Sequence, residues 1–163
     1  MGQDVSAAAL AGHLASQVEL QRKLLSLAHA EEEALRRGDL RALRTITAEQ
    51  EGAVLDGARL ERARADEALR LCEQLGLGPD ASAAELAAAL PGDEGDGLEQ
   101  AAAELRALVA ELLDLNRRNR SLIEQELGTI DHLVRGVILG QASRTDDARA
   151  LPPAPPRLVD REA

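Results

Sequence analysis

The chain has 163 residues, a formal net charge of −10 and no Phe, Trp or Tyr. Because β-rich folds depend on aromatic and β-branched side chains, this composition argues against a sandwich or a barrel. The abundance of Ala, Leu, Glu and Arg is typical of long helices and coiled coils. Basic residues are interleaved among the acids, so we predict no nucleic-acid-binding surface. No apolar run approaches the roughly 18 residues of a membrane span, so we predict no membrane insertion. A single cysteine and the absence of basic residues before Arg22 predict a cytoplasmic protein without a signal peptide.

The first predicted helix covers about residues 5–37 and the second covers residues 40–75. Apolar residues recur at steps of three and four in both stretches, as expected for helices with one buried face. Between them, Gly38 can adopt the left-handed conformation that ends a helix, and Asp39 can cap the next one. A connection this short predicts an antiparallel helical hairpin.

An acidic loop is predicted from residue 76 to residue 97, after the Gly-Leu-Gly-Pro sequence that ends the second helix. Within this loop Ser82 and Glu85 have the spacing of a capping box, which predicts one short helix before Pro91. The loop therefore carries an extra helical element between the hairpin and the last helix.

The third long helix is predicted over about residues 98–139, which at 1.5 Å per residue is roughly 60 Å. The first two helices should each reach only about 50 Å by the same rule. We therefore predict an all-α, elongated, antiparallel three-helix coiled-coil bundle in a domain of residues 1–140. A bend near Gly128, which would return the end of the helix as a fourth packed element, stays as an alternative. Residues 141–163 contain charges and prolines but no apolar face, so they are predicted to be a disordered tail.

No arrangement of residues indicates catalysis or a bound cofactor. The only histidine with acidic neighbours one turn away is His29, with Glu32 and Glu33, and a single histidine on a charged face is typical of surface. Cys72 falls on the apolar side of the second helix, where a thiol packs as a small hydrophobic group. We predict that the protein is not an enzyme and has no metal or cofactor.

Asn116 and Asn119 interrupt the apolar stripe of the third helix. Polar residues at core positions cost stability but can fix the register of packed helices. We hypothesise a polar layer in which Asn116 or Asn119 bonds to Gln17 or Gln21, with the thin backbone at Gly57 leaving room for it. The alternative is that both asparagines tilt to the edge and contact water.

The order of these features resembles that of the FlgN-type flagellar export chaperones. The Asn-x-x-Asn-x-x-Leu-Ile stretch that begins at Asn116 is similar to a segment in the last helix of that family. The acidic run from Glu31 into Gly-Asp and then Leu-x-x-Leu-x-x-Ile, ending at Ile46, also resembles it. So do Glu49, Glu51 and the long charged helix that ends in Leu-Gly near residue 76. The resemblance covers about residues 10–139, and the complete lack of aromatic residues departs from it.

The resemblance implies a small, non-enzymatic, cytoplasmic chaperone. Such proteins bind the helical terminal segments of hook-associated (hook–filament junction) proteins, prevent their premature association and deliver them to the flagellar type III export gate. In that family the binding surface lies toward the C-terminal part of the last helix.

The residues themselves favour the same region. If the third helix is longer than its partners, six aliphatic residues near its end have nothing to pack against, and such a stripe is suited to an amphipathic helix. The candidate client-binding residues are Leu127, Ile130, Leu133, Val134, Val137 and Ile138. Two alternatives remain: this end folds back or pairs in a homodimer, or the whole protein is a self-associating coiled-coil scaffold or regulator without a client.

Overall fold

The computed structural model describes residues 2–147, and the side chains of residues 7–138. Four helices make up almost all of this part of the chain, which contains no strand. They are α1 (Gly2–Arg37), α2 (Leu40–Leu75), α3 (Ala83–Ala89) and α4 (Gly92–Asp147). The all-helical class predicted from composition is confirmed. The chain divides into two units, of which the first ends at Ile123 and the second begins at Glu124.

The turn between α1 and α2 has the predicted chemistry. Gly38 takes a positive φ of 65°, which costs glycine little because it has no Cβ. The Asp39 carboxylate then caps α2 by accepting hydrogen bonds from the backbone N–H groups of Arg41 (3.1 Å) and Ala42 (3.0 Å). This glycine–aspartate pair therefore fixes the end of α1 and the start of α2 within two residues.

Side-chain contacts between α1 and α2 pair later residues of one helix with earlier residues of the other. Gln17 Nε2 donates to Glu61 Oε2 at 2.6 Å, and Gln50 Nε2 donates to Glu31 Oε2 at 3.1 Å. Between these two levels, a Cβ built on Gly57 would lie 3.1 Å from Leu20 Cδ2. Gly57 therefore permits the close approach of the two helices that the sequence suggested.

The segment between α2 and α4 is organised by local caps. Gly76, at φ 69°, ends α2. The capping box of α3 is complete, because Glu85 N–H donates to Ser82 Oγ (3.2 Å) and Ser82 N–H donates to Glu85 Oε2 (2.7 Å). The bond from Ser82 N–H, and a further bond from Ser82 Oγ to Glu85 Oε2 (2.8 Å), lower the pKa of the Glu85 carboxyl group below its ordinary value. The predicted short helix is therefore present where the sequence placed it.

The main hydrophobic core lies where α3 packs against the ends of the other helices. Leu71, at 0% exposed, and Cys72, at 2%, lie at its centre. Its other buried members are Ala7, Leu10, Leu14, Leu86, Ala87, Leu90 and Leu98. α3 packs closely against the start of α4: a Cβ on Gly95 would lie 2.3 Å from the Ala87 carbonyl oxygen. The short helix α3 is thus part of the main core and does not lie apart from it in a loop.

The bounds of α4 differ from those predicted. It begins at Gly92, not at 98, because Pro91 pre-sets the backbone and Asp93 and Glu94 favourably face the positive end of the helix dipole. It continues to Asp147, past the predicted end at 139, and its helical conformation is uninterrupted at Gly128. Between Pro91 and Pro152 the sequence has no proline to stop it. The predicted tail is therefore helical over residues 141–147, and its remainder, 148–163, lies outside the described residues.

Candidate functional site

Six aliphatic side chains form an exposed stripe in the second unit, and we call them the C-terminal stripe. Each exposes between 51% and 61% of its surface. At 3.6 residues per turn they fall within about 140° of the helix circumference and extend along about 16 Å of its axis. Its members are Leu127, Ile130, Leu133, Val134, Val137 and Ile138. The stripe is therefore continuous, apolar and open to a partner.

Charged residues flank the C-terminal stripe without covering it. Arg135 Nε lies 2.9 Å from Asp131 Oδ2, and both side chains are more than 60% exposed. An exposed ion pair one turn apart contributes little to stability. This pair keeps the neighbouring face of the helix polar, so the apolar surface stays confined to one side.

Asn119 is the one asparagine of the predicted polar layer that the fold buries, with 2% of its surface exposed. Its Nδ2 donates to the Ala28 carbonyl oxygen at 2.8 Å and to Glu31 Oε2 at 3.2 Å. Asn119 thus reaches α1, as the hypothesis required, but its partners are a backbone carbonyl and a carboxylate rather than a glutamine.

The other three residues of the hypothesised layer lie elsewhere. Gln17 is buried and bonds to Glu61, whose pKa is lowered mainly by its hydrogen bond from Arg64, with a further contribution from Gln17. Gln21 is half-buried, and its Oε1 has no hydrogen-bond donor among the described residues. Asn116 is exposed. The structure therefore contains separate polar contacts at two levels instead of a single amide layer.

The register of α4 explains the difference. The prediction placed Asn116 beside Gly57 and Gln21. The structure instead places Asn116 in one groove with Leu24 and Val54, about one helical turn from the predicted level. The prediction started this helix at residue 98, whereas α4 begins at Gly92, inside the segment assigned to the acidic loop.

The groove that contains Asn116 was not identified from the sequence, and we call it the Asn119 groove. It is an open depression of about 390 Å³ formed by all three long helices of the first unit. Four aliphatic residues supply its apolar surface, and of these Val54 is 61% exposed and Ile123 38%. Its lining consists of Leu24, Glu31, Gln50, Val54, Leu112, Asn116, Asn119, Arg120 and Ile123. Only the relative register of three helices creates it, so no local sequence signal marks it.

The residues that form the stripe and line the groove include no histidine and no cysteine. Within the described residues, no three His, Cys, Asp or Glu side chains are grouped so as to hold a metal ion. In the same part of the chain, no helix is both long and apolar enough to cross a membrane. Cys72 is buried in the core and is a member of neither surface. What both surfaces offer is apolar area, which is suited to binding another polypeptide.

Comparison with known proteins identifies the family. No curated protein and no solved structure matches the chain. The family model described as FlgN protein matches residues 1–143, which is most of the chain and includes all four helices up to the last residues of α4. The chain therefore belongs to the FlgN family of flagellar export chaperones.

Proposed function

We propose that this protein is a cytoplasmic chaperone that binds the amphipathic helical termini of hook-associated proteins before their export through the flagellar type III apparatus. Family membership supports the chaperone role. The observation that carries the proposal is the C-terminal stripe, whose aliphatic side chains are all more than half exposed. A client helix that buries its apolar face on the stripe is kept from associating with other subunits.

The stripe is suited to reversible binding. Burying what remains exposed of six aliphatic side chains gives a gross stabilisation of roughly 5–10 kcal/mol. Association and ordering of the client offset much of this free energy. A chaperone that must release its client at the export gate needs such a balance, so we propose that the client is handed over there.

Two glycines keep this part of α4 easy to deform. At Gly128 and at Gly136 an added Cβ would meet nothing within 4 Å, so the space around them does not require glycine. Each costs about 1 kcal/mol of helix stability relative to alanine. We propose that this weak helix adjusts to the client as it binds.

The scaffold for this surface is proposed to be an antiparallel three-helix coiled coil. Two contacts support the arrangement of α1 and α2, since Gln17 bonds to Glu61 while Glu31 bonds to Gln50. The bond from Asn119 to the Ala28 carbonyl oxygen supports the packing of α4 against α1.

Charge insertion in the stripe tests the proposal. The double variant Leu133→Asp and Val137→Asp should abolish binding to purified hook-associated proteins, because carboxylates would be buried against the client's apolar face. Circular dichroism should show unchanged helix content in the rest of the chain. The matched control is Gln125→Asp with His132→Asp, which adds the same two carboxylates on the opposite side of the helix. Equal binding by both variants would place the client site elsewhere.

The alternative function, a self-associating scaffold without a client, uses the same stripe differently. It requires a stable dimer in which residues 127–138 are protected. Light scattering and hydrogen exchange on the protein alone separate the two functions. The chaperone should be monomeric with rapidly exchanging amides in this segment, whereas the scaffold should be dimeric with slowly exchanging ones.

A further inference from the structure

Among the described residues, the Asn119 groove contains one carboxylate that no cation pairs with, Glu31, and one buried acceptor without a donor, Asn119 Oδ1. Glu31 Oε2 accepts from two amides, Gln50 Nε2 at 3.1 Å and Asn119 Nδ2 at 3.2 Å. Both donors are neutral, and no lysine or arginine in the described residues forms a salt bridge with Glu31. Asn119 is buried, and its Oδ1 also has no donor.

The charge of Glu31 is unusual among the acids near it. Glu32 pairs with Arg36 at 2.8 Å and Glu33 pairs with Arg37 at 2.5 Å, so the two acids that follow Glu31 each have an arginine partner. Arg120 also borders the groove, and it has an interaction partner of its own. The half-buried carboxylate of Glu31 is thus oriented by two amide hydrogen bonds, while no cation of the described residues pairs with its charge.

From this charge and the exposed aliphatic walls, we propose that the Asn119 groove is a second interaction surface, which binds an amphipathic helix carrying an arginine beside its apolar face. The aliphatic face of the guest packs on Leu24, Val54, Leu112 and Ile123, and its guanidinium pairs with Glu31. Arginine fits better than lysine because its planar group can donate to Glu31 and to a second acceptor at once.

The dimensions favour a helix over a small molecule. The α4 wall from Leu112 to Ile123 is about 16 Å long at 1.5 Å per residue, which equals about three turns of a guest helix. The groove is open along its length, and its most exposed wall residue, Val54, presents 61% of its surface to water. A small ligand would leave most of this apolar wall exposed to water, whereas a helix would bury it.

All residues of this surface belong to the first unit, whereas those of the C-terminal stripe belong to the second. Its test therefore uses a probe that is not a flagellar protein. The probe is a synthetic, capped 16-residue helical peptide with four leucines on one face and one arginine beside them. A second peptide with citrulline in place of arginine keeps the planar shape and three of the five N–H donors but removes the charge.

Titrations are made on the full chain carrying Leu133→Asp and Val137→Asp, so that the C-terminal stripe cannot bind the probe. The arginine peptide should bind about tenfold more tightly than the citrulline peptide. Glu31→Gln should remove this preference while leaving the affinity for the citrulline peptide unchanged. Val54→Asn should weaken both peptides by about tenfold, because it makes the apolar wall polar.

The matched control for Val54→Asn is Leu113→Asn, since Leu113 is an aliphatic residue of α4 that is 58% exposed and lies outside the groove. This control should leave both affinities unchanged. When the arginine peptide binds, the methyl chemical shifts of Leu24, Leu112 and Ile123 should change. Equal affinities for the two peptides, an unchanged affinity in Val54→Asn, or shift changes confined to other residues would each overturn the proposal. None of these outcomes bears on client binding by the C-terminal stripe, which the earlier double variant tests separately.

Discussion

The two halves of α4 contain the same kinds of residue in the same helical spacing, yet they meet different surroundings. In the first half, Leu98 is 2% exposed and Leu115 is fully buried. In the second half, Leu127 is 60% exposed and Leu133 is 61% exposed. An apolar stripe therefore indicates only that one face of a helix is suited to packing against a partner. The positions of the other helices decide whether that partner comes from the same chain. In the function proposed above, the exposed half is the part that binds a client.

Truncating one leucine in each half of α4 should give the largest difference in the free energy of unfolding. Leu115→Ala removes a fully buried side chain and should lower the free energy of unfolding by about 3 kcal/mol. Leu133→Ala removes a side chain that is already mostly in water and should change it by no more than about 0.5 kcal/mol. Urea denaturation followed by circular dichroism measures both. Equal losses would mean that the second half has a packed partner in solution.

Glycine-to-alanine substitutions should have opposite signs in the two halves. Gly95→Ala places a Cβ 2.3 Å from the Ala87 carbonyl oxygen, so α3 must shift, and we expect a loss of about 2 kcal/mol. Gly136→Ala meets nothing within 4 Å and should stabilise the helix by about 1 kcal/mol. The first is measured by thermal denaturation, and the second by slower amide exchange around residue 136. A gain in stability for Gly95→Ala would contradict the close packing of α3.

Substituting the two asparagines tests whether their contribution to stability depends on burial or on their place in the sequence motif. Asn119→Ala removes a buried amide with two hydrogen bonds to α1 and should cost about 1.5 kcal/mol. Asn116→Ala, its matched control in an exposed position, should leave stability unchanged or raise it slightly, because alanine favours the helix. Equal effects of the two substitutions in urea denaturation would contradict the burial of Asn119 and the exposure of Asn116.

The smallest expected effect is the pH dependence due to Glu61 in the first unit. The hydrogen bond from Arg64 lowers the pKa of Glu61 in the folded state, so its stabilisation is present above the ordinary glutamate pKa and is lost as the pH falls through the lowered value. The contribution is about 0.5 kcal/mol or less, since the Glu61 side chain is 56% exposed and solvent screens the pair. Subtracting the acid-denaturation curve of Glu61→Gln from that of the unmodified protein isolates it. A difference that grows on acidification would have the wrong sign.

Local chemistry accounts for the parts of the fold that were predicted well. Gly38 and Asp39 define the end of α1 and the start of α2 through backbone conformation and a side-chain cap, and both effects act within a few residues. Ser82 and Glu85 define α3 in the same way. Such signals are readable because the interacting groups are neighbours in the chain.

The sequence by itself determined the helical class, the caps and the apolar stripe, since all of these arise from composition and from contacts between near neighbours. Tertiary structure alone decided that Asn119 is buried while Asn116 is exposed, and that Leu24, Val54 and Ile123 line one groove. The physical reason is register: a shift of one turn between packed helices changes few local energies but replaces every side-chain partner across the interface. Only the assembled helices fix that shift.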